Sequence, residues 1–506
     1  MPLNRDCLLL AHLMALTVVL AGCSPPAVPQ STPEDTSVKL VKQEEDVPSQ
    51  DSRKETGPAD NTDQPASKVR TPSNSVAPGP AFFRIAHERL ELNPQRLAAA
   101  GIHLLESPRL ILLTDRNPDS VRELLDIANL FYDYLQRECG PLRPSQSGEE
   151  FQAIGCLMVD PERFETVGLV PDPVVDMLHG QQFGYRFWLR DQKDDYYRRH
   201  LLLHEFAHVY MTCDTGLDNI PAGWFMEGAA EVFATHDTTR RSPAFGLLPR
   251  QFAGFEGWGR ISAIRRNRVD RVAEKLTRQS IPSLHQVQFP EGPLARSEDR
   301  YAWWWALSWM LANHAEYVDQ WKTLCHLRGA DNFHQQTDKL IDQFGDRLAV
   351  DWLLFAESLS EHFDSSRSIP LHREVDSASP EQFVLLAGRG WQDTGCSMQA
   401  GETITIECSG ECVVEQATAP WVSQPNGITL EYNQGRPLGE VVAVFVNGEE
   451  GWISRRIAIG NHHTLTATQP AQLWLQINDD AGMRSSNSGS YSIAIRHQLP
   501  PKNNPE

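Results

Sequence analysis

The 506-residue sequence is short of positive charge: 46 basic side chains stand against 66 acidic ones, a formal charge of -20. Nucleic-acid binding needs a basic excess or a basic stripe, so this balance argues against it. Beyond the leader no apolar run reaches 18 residues, which argues against an internal transmembrane helix. No Cys-x-x-Cys pair occurs, so neither a zinc ribbon nor a dithiol redox site is expected. From Ser24 to Pro80 there is no Phe, Trp or Tyr. Such a segment buries too little apolar surface to offset its chain entropy, and 24–80 is expected to be a disordered tether. The rest is ordinary globular material, 41% hydrophobic with 13 Trp, and the length allows roughly three domains.

The first 23 residues have the pattern of an export signal. Arg5 precedes an apolar stretch from Leu8 to Leu20, too short to span a bilayer permanently. It ends in Leu20-Ala21-Gly22-Cys23, which resembles the lipobox of bacterial lipoproteins. That resemblance implies lipidation of Cys23 and an exported chain anchored at the cell envelope. Ser24 favours the outer membrane or cell surface. Stable anchoring by two or more acyl chains is physically sufficient. Of the seven later cysteines, Cys139 with Cys156 and Cys408 with Cys412 are candidate local bridges.

Residues 81–375 mix strand and helix patterns. Leu110–Thr114 and 151–159 are apolar runs suited to buried strands, and Asp119 can cap a helix with Val121, Leu124, Leu125, Ala128 and Phe131 on one face. Beyond Tyr196 the pattern is mostly helical. After about Pro380 short runs follow, such as 403–407, 441–446, 473–477 and 491–495, separated by Gly and Asn turns. The fold class is therefore α+β, followed by an all-β sandwich over 380–500.

His204-Glu205-Phe206-Ala207-His208 is an HExxH sequence, expected at random less than about 0.07 times per chain of this composition. Asp194 or Asp195 can cap a helix here, with Leu202, Phe206 and Val209 on an apolar stripe. On a helix, histidines at i and i+4 can present nitrogen to one zinc, and Glu205 borders the same cleft as a proton acceptor. Pro221 opens a second helix, Trp224 to Glu231. Glu227, 19 positions after His208, offers a carboxylate oxygen, and Glu231 lies one turn later. Glu231 can fix the tautomer of a ligand His.

HExxH followed by Phe-x-Glu-Gly-x-x-Glu resembles the gluzincin clan of zinc metallopeptidases, and residues 196–205 are similar to peptidase-MA-like bacterial proteins. The resemblance covers about 81–360. It implies that His204, His208 and Glu227 bind Zn²⁺, that Glu205 is the general base for attack of zinc-activated water on a peptide bond, and that Glu231 orients a ligand His. The aminopeptidase Gly-x-Met-Glu-Asn stretch is missing, so endopeptidase or restricted processing action is as well supported as exopeptidase action. Tyr301 is either the oxyanion donor, as its distance from the motif suggests by the same resemblance, or a core aromatic beside Trp303 and Trp304.

His200 continues the histidine row and suits packing or support of the ligands. His236 can complement a helix dipole. Arg265, Arg266, Arg268 and Arg271 suit a solvated face, and His462-His463 a surface loop. Stretches 390–395, 473–479 and 487–493 resemble the galactophilic bacterial lectin fold of the LecA type. That implies Ca²⁺ bound by Asp479, Asn487 and the Met483 carbonyl, together with galactose-type glycans, although Ser486 stands where the family has Asn. The sequence thus describes a lipid-anchored zinc metallopeptidase acting on peptide or protein substrates, with a lectin-like appendage. The competing reading is a surface glycan-binding or adhesion protein with an idle peptidase-like part.

Overall fold

Apolar strands that alternate between two buried faces need cover on both sides, and the N-terminal half is built on that requirement. The computed structural model describes residues 93–498, apart from 144–149, 172–173, 175–176, 214–220, 239–241, 248–280, 297–298, 328–332, 361–362 and 374–381. The leader with Cys23, the tether 24–80 and the Arg265–Arg271 cluster lie outside the described residues. Five strands, β1 (His103–Glu106), β2 (Leu110–Thr114), β3 (Ala153–Met158), β4 (Gly180–Phe183) and β5 (Arg186–Arg190), form a sheet in the order β1-β2-β3-β5-β4. Its centre is parallel and both outer strands are antiparallel to their neighbours.

Helices α1 (Pro94–Ala99), α2 (Glu123–Cys139), α3 (Pro161–Thr166), α4 (Asp195–Thr212) and α5 (Gly223–Ala234) follow in chain order. Helices α2 and α4 cover one face of the sheet with the main core. Leu97 of α1 and Phe164 of α3 join Leu113, Cys156, Met158 and Trp188 on the other. Asp119 does not cap α2: it lies in a 3-10 turn, Pro118–Ser120, whose cap is Asn117. A two-stranded ribbon, β6 (His236–Asp237) with β7 (Ala244–Phe245), comes next. The helical layer then continues through α6 (Leu284–Gln288), α7 (Gly292–Arg296), α8 (Asp299–Asn313), α9 (Val318–His326), α10 (Phe333–Ser358, broken at Gly345) and α11 (Ser365–Ser368).

The C-terminal strands form two facing sheets. One joins β8 (Gln382–Leu386), β10 (Thr403–Ser409), β11 (Cys412–Glu415), β12 (Trp421–Ser423), β17 (His462–Thr466) and β19 (Ser488–Gln498). The other joins β9 (Gln392–Met398), β13 (Asn426–Asn433), β14 (Arg436–Asn447), β15 (Trp452–Ile453), β16 (Ile457–Ala458) and β18 (Ala471–Ile477). The chain is therefore mixed helix and sheet with a β-sandwich-like C-terminal part. His462 and His463 begin a strand rather than a loop.

The run Val441 to Val446 is buried on both faces. Val441, Ala443 and Phe445 fill the sandwich, whereas Val442, Val444 and Val446, with Trp474, join the core of the helical half. A free-standing sandwich would leave that second face in water. Glu357 of α10 strengthens the joint: it accepts from Arg456 Nε (2.6 Å), Arg456 Nη2 (3.0 Å) and Trp391 Nε1 (2.9 Å).

Neither expected cysteine bridge forms, and all seven described cysteines are buried thiols. Cys139 faces the main core, whereas alternation along β3 turns Cys156 to the opposite face of the sheet. Cys408 pairs with Ile493 and Cys412 with Gly489, so one register runs through both β10 and β11 along β19. Four residues of extended chain separate the two by about 13 Å, well beyond the roughly 7 Å limit for a disulfide.

Candidate metal centre

Helix α4 begins at Asp194, whose carboxylate accepts from Tyr197 N at 2.7 Å. Arg198 anchors the same first turn, donating to Asp191 Oδ1 at 2.7 Å and also to Asp195. From His200 to Met211 every side chain is buried, so the helix passes through the core and carries its polar row inward. Tyr197, His200, His204 and His208 share one stripe, which faces α5.

Helix α5 reaches that stripe because Gly228 allows close approach of α8. A Cβ there would stand 2.3 Å from Ser308 Oγ and 2.6 Å from the Trp304 carbonyl. Pro221 lies just ahead of the helix, which is capped by the backbone at Ala222 without a side-chain bond.

These two helices bring three donor atoms to one point. His204 Nε2 and His208 Nε2 are 3.0 Å apart, and Glu227 Oε2 is 3.3 Å from each. Tetrahedral ligands at zinc bond lengths of about 2.0–2.1 Å stand about 3.3 Å apart, so the triangle fits such an ion. Among the described residues no hydrogen-bond partner meets the buried Glu227 Oε2. Two imidazole nitrogens and a carboxylate oxygen turned on one point satisfy each other poorly as hydrogen-bonding groups and well as metal ligands. The side chains are 7%, 11% and 17% exposed in the order His204, His208, Glu227, so the triangle is largely buried.

Glu231 spans the back of the site, with Oε1 3.7 Å from His204 Nδ1 and Oε2 3.3 Å from His200 Nε2. His200 and His204 with Glu231 form a second convergent group, in which His200 stands against the carboxylate that faces His204. Glu205 is 3% exposed. Burial pushes its carboxyl up to about 8; His208 opposes that shift, while Glu227 and Glu231 add to it. Burial also acts to raise Glu227, but the two imidazoles outweigh it and hold the carboxyl well below its usual range.

Sequence patterning missed one contributor, Gly180, at the start of the outer strand β4. A Cβ there would meet Glu205 Oε1 at 2.6 Å and Leu189 Cδ2 at 3.0 Å, so only a bare backbone leaves room for this carboxylate. A lone glycine in a short polar strand carries no periodic signal, though glycine within a strand does mark close approach.

Tyr301 lies in the first turn of α8, 7% exposed, its ring edge-on to Trp304 at 5.4 Å and under the Arg300 guanidinium. His236 stacks on Tyr196 at 4.3 Å, takes a hydrogen bond from Arg199 Nε and points Nδ1 at the Ala234 carbonyl. Burial pushes its imidazole down to about 3, so it is neutral and adds no charge to the helix end. Asp479 and Asn487 meet far along the chain, in the sandwich, where Asp479 Oδ2 accepts from Asn487 Nδ2 at 2.7 Å.

No family model and no curated protein matches the chain. Among solved structures it is similar to the N-terminal domain of EclA, a PllA-like lectin. The identity is 22%, over 23% of this chain and 96% of that one, with a TM-score of 0.19. It is also similar to PliG of Aeromonas hydrophila, a periplasmic inhibitor of g-type lysozyme. There the identity is 11%, over 26% of this chain and 98% of that one, with a TM-score of 0.16. At such scores neither likeness bears on function.

Proposed function

We propose that the chain is a zinc-dependent metallopeptidase of gluzincin type. The observation that carries this reading is the triangle of His204, His208 and Glu227 donor atoms with edges of 3.0 to 3.3 Å, beside the buried carboxyl of Glu205. A zinc ion bound there would supply Lewis-acid polarisation of a carbonyl and a water of lowered pKa. Glu205 is the group placed to take a proton from the attacking water and return it to the departing amine. Glu231, which faces His204 Nδ1 at 3.7 Å, would orient that ring once the ion is bound. Tyr301 is the candidate donor to the developing oxyanion.

A peptide is the substrate class favoured by the surroundings. Strand β4 ends the sheet among the described residues and lies beside α4 at Glu205. An outer strand offers main-chain donors and acceptors to an extended peptide of any sequence. The proposal includes an envelope location through lipidated Cys23, to be checked by metabolic labelling with an alkynyl fatty acid: wild type takes up label and Cys23→Ser does not.

The test uses full-length zinc-loaded protein and a mixed peptide panel read by mass spectrometry. Cleavage by wild type, reduced at least about 100-fold in Glu205→Gln with zinc retained, is expected. Undiminished cleavage by Glu205→Gln, or none by the loaded wild type, would sink the proposal.

A further inference from the structure

The 479–487 loop of the sandwich holds the residues expected to bind calcium, and its donor set does not fit that ion. Calcium takes six to eight oxygens free to turn toward it. Here Asp479 Oδ1 accepts from Asp480 N at 2.7 Å and Oδ2 from Asn487 Nδ2 at 2.7 Å. The Asn487 amide nitrogen also donates to the Ala387 carbonyl at 3.2 Å. Two acceptors therefore fix that amide with its nitrogen, not its oxygen, toward the carboxylate. The Met483 carbonyl accepts from Ser486 N at 3.0 Å and Ser486 Oγ at 2.9 Å. Glu415 Oε2 is 3.5 Å from that hydroxyl, but no group of three convergent His, Cys, Asp or Glu donors exists here among the described residues.

A positive charge is nevertheless present. Arg484 is 1% exposed, and its guanidinium lies under the loop. Nη2 donates to Gln476 Oε1 at 3.0 Å and to the Asp479 carbonyl at 3.4 Å, and Nη1 donates to Ser368 Oγ at 2.5 Å. Ser368 ends α11, in the helical half, and its hydroxyl donates onward to the Ala481 carbonyl at 2.7 Å; Asp364 N reaches the same carbonyl at 3.3 Å. A second cation beside this buried guanidinium would be repelled.

We propose that the loop is a metal-free joint between sandwich and helical half, built on Arg484, whose guanidinium binds Gln476, the Asp479 carbonyl and Ser368 of α11. Through Gln476 and Ser368, Arg484 ties β18 to α11 without a metal. The sandwich accordingly does not capture glycans through a bridging divalent ion, and its edge is used inside the molecule.

The experiment uses the full chain, stripped of calcium on a chelating resin with zinc then restored, so that the two ions are not confused. Thermal unfolding and calorimetric titration are measured with and without about 5 mM calcium, above the weakest extracellular calcium sites. Wild type is expected to show no binding heat and no change in Tm. Arg484→Gln is expected to unfold at lower temperature, and Arg484→Gln with Ser368→Ala to lose less than the sum of the two single losses, because both remove the same bond. A calcium-dependent rise in wild-type Tm, or losses that simply add in the double variant, overturns the proposal. If Arg484→Gln does not fold, the wild-type calcium measurements decide.

Discussion

The ion pair between Glu357 and Arg456 offers a calculable perturbation. The two side chains are 2% and 7% exposed, and they join α10 to the sandwich through two hydrogen bonds. Arg456 Nη1 also donates to Asn478 Oδ1 at 3.2 Å, and Trp391 Nε1 donates to the same carboxylate. Glu357→Gln leaves a buried guanidinium without its counter-charge, and Arg456→Met leaves a buried carboxylate. Removing one partner of such a pair costs about 3–5 kcal/mol, whereas an apolar replacement of both costs far less. With an unfolding entropy of about 2.1 cal/mol/K per residue over about 400 residues, 4 kcal/mol lowers Tm by about 5 °C. Scanning calorimetry should show each single variant about 4–6 °C below wild type, and the double variant well short of the summed loss. Because the core is continuous from Trp352 to Val444, one transition is expected. Single variants within about 1 °C of wild type, or a sandwich melting separately, would refute the claim that the halves are joined through a buried charge.

Three further outcomes follow from the site. Gly180→Ala, whose Cβ would stand 2.6 Å from Glu205 Oε1, should cut turnover about 100-fold with zinc affinity unchanged, checked by kinetics and chelator competition. Glu231→Gln should weaken zinc about 10–100-fold by removing the carboxylate charge that faces His204 Nδ1 at 3.7 Å, measured against a fluorescent chelator. His236, pushed down to about 3 by burial, binds its proton more readily unfolded than folded. Stability should therefore fall as pH drops from about 6.5 toward 3, and His236→Phe should flatten that fall in chemical denaturation at stepped pH.

Much of the centre was legible because helices at this site obey local rules. The cap at Asp194, the i and i+4 histidines and the Glu-x-x-x-Glu pair on α5 are each set by one helical repeat. What was hidden depends on contacts between distant segments. Gly180 matters only because β4 lies against Glu205, and Arg484 only because α11 closes over it. The run at 441–446 was recognisable as strand. Its six consecutive apolar residues also meant two buried faces, which ties the sandwich to the helices. The cysteines misled because closeness in sequence, as for Cys408 and Cys412, says nothing of reach once the chain is extended.

Elemental analysis of the purified full chain decides whether α4 and α5 hold a metal ion between His204, His208 and Glu227. One zinc per chain is expected in wild type and in Glu205→Gln, and its loss in His204→Ala, His208→Ala and Glu227→Ala proteins that still fold. Folded wild-type protein without transition metal after incubation with zinc, or full zinc content in Glu227→Ala, would contradict it.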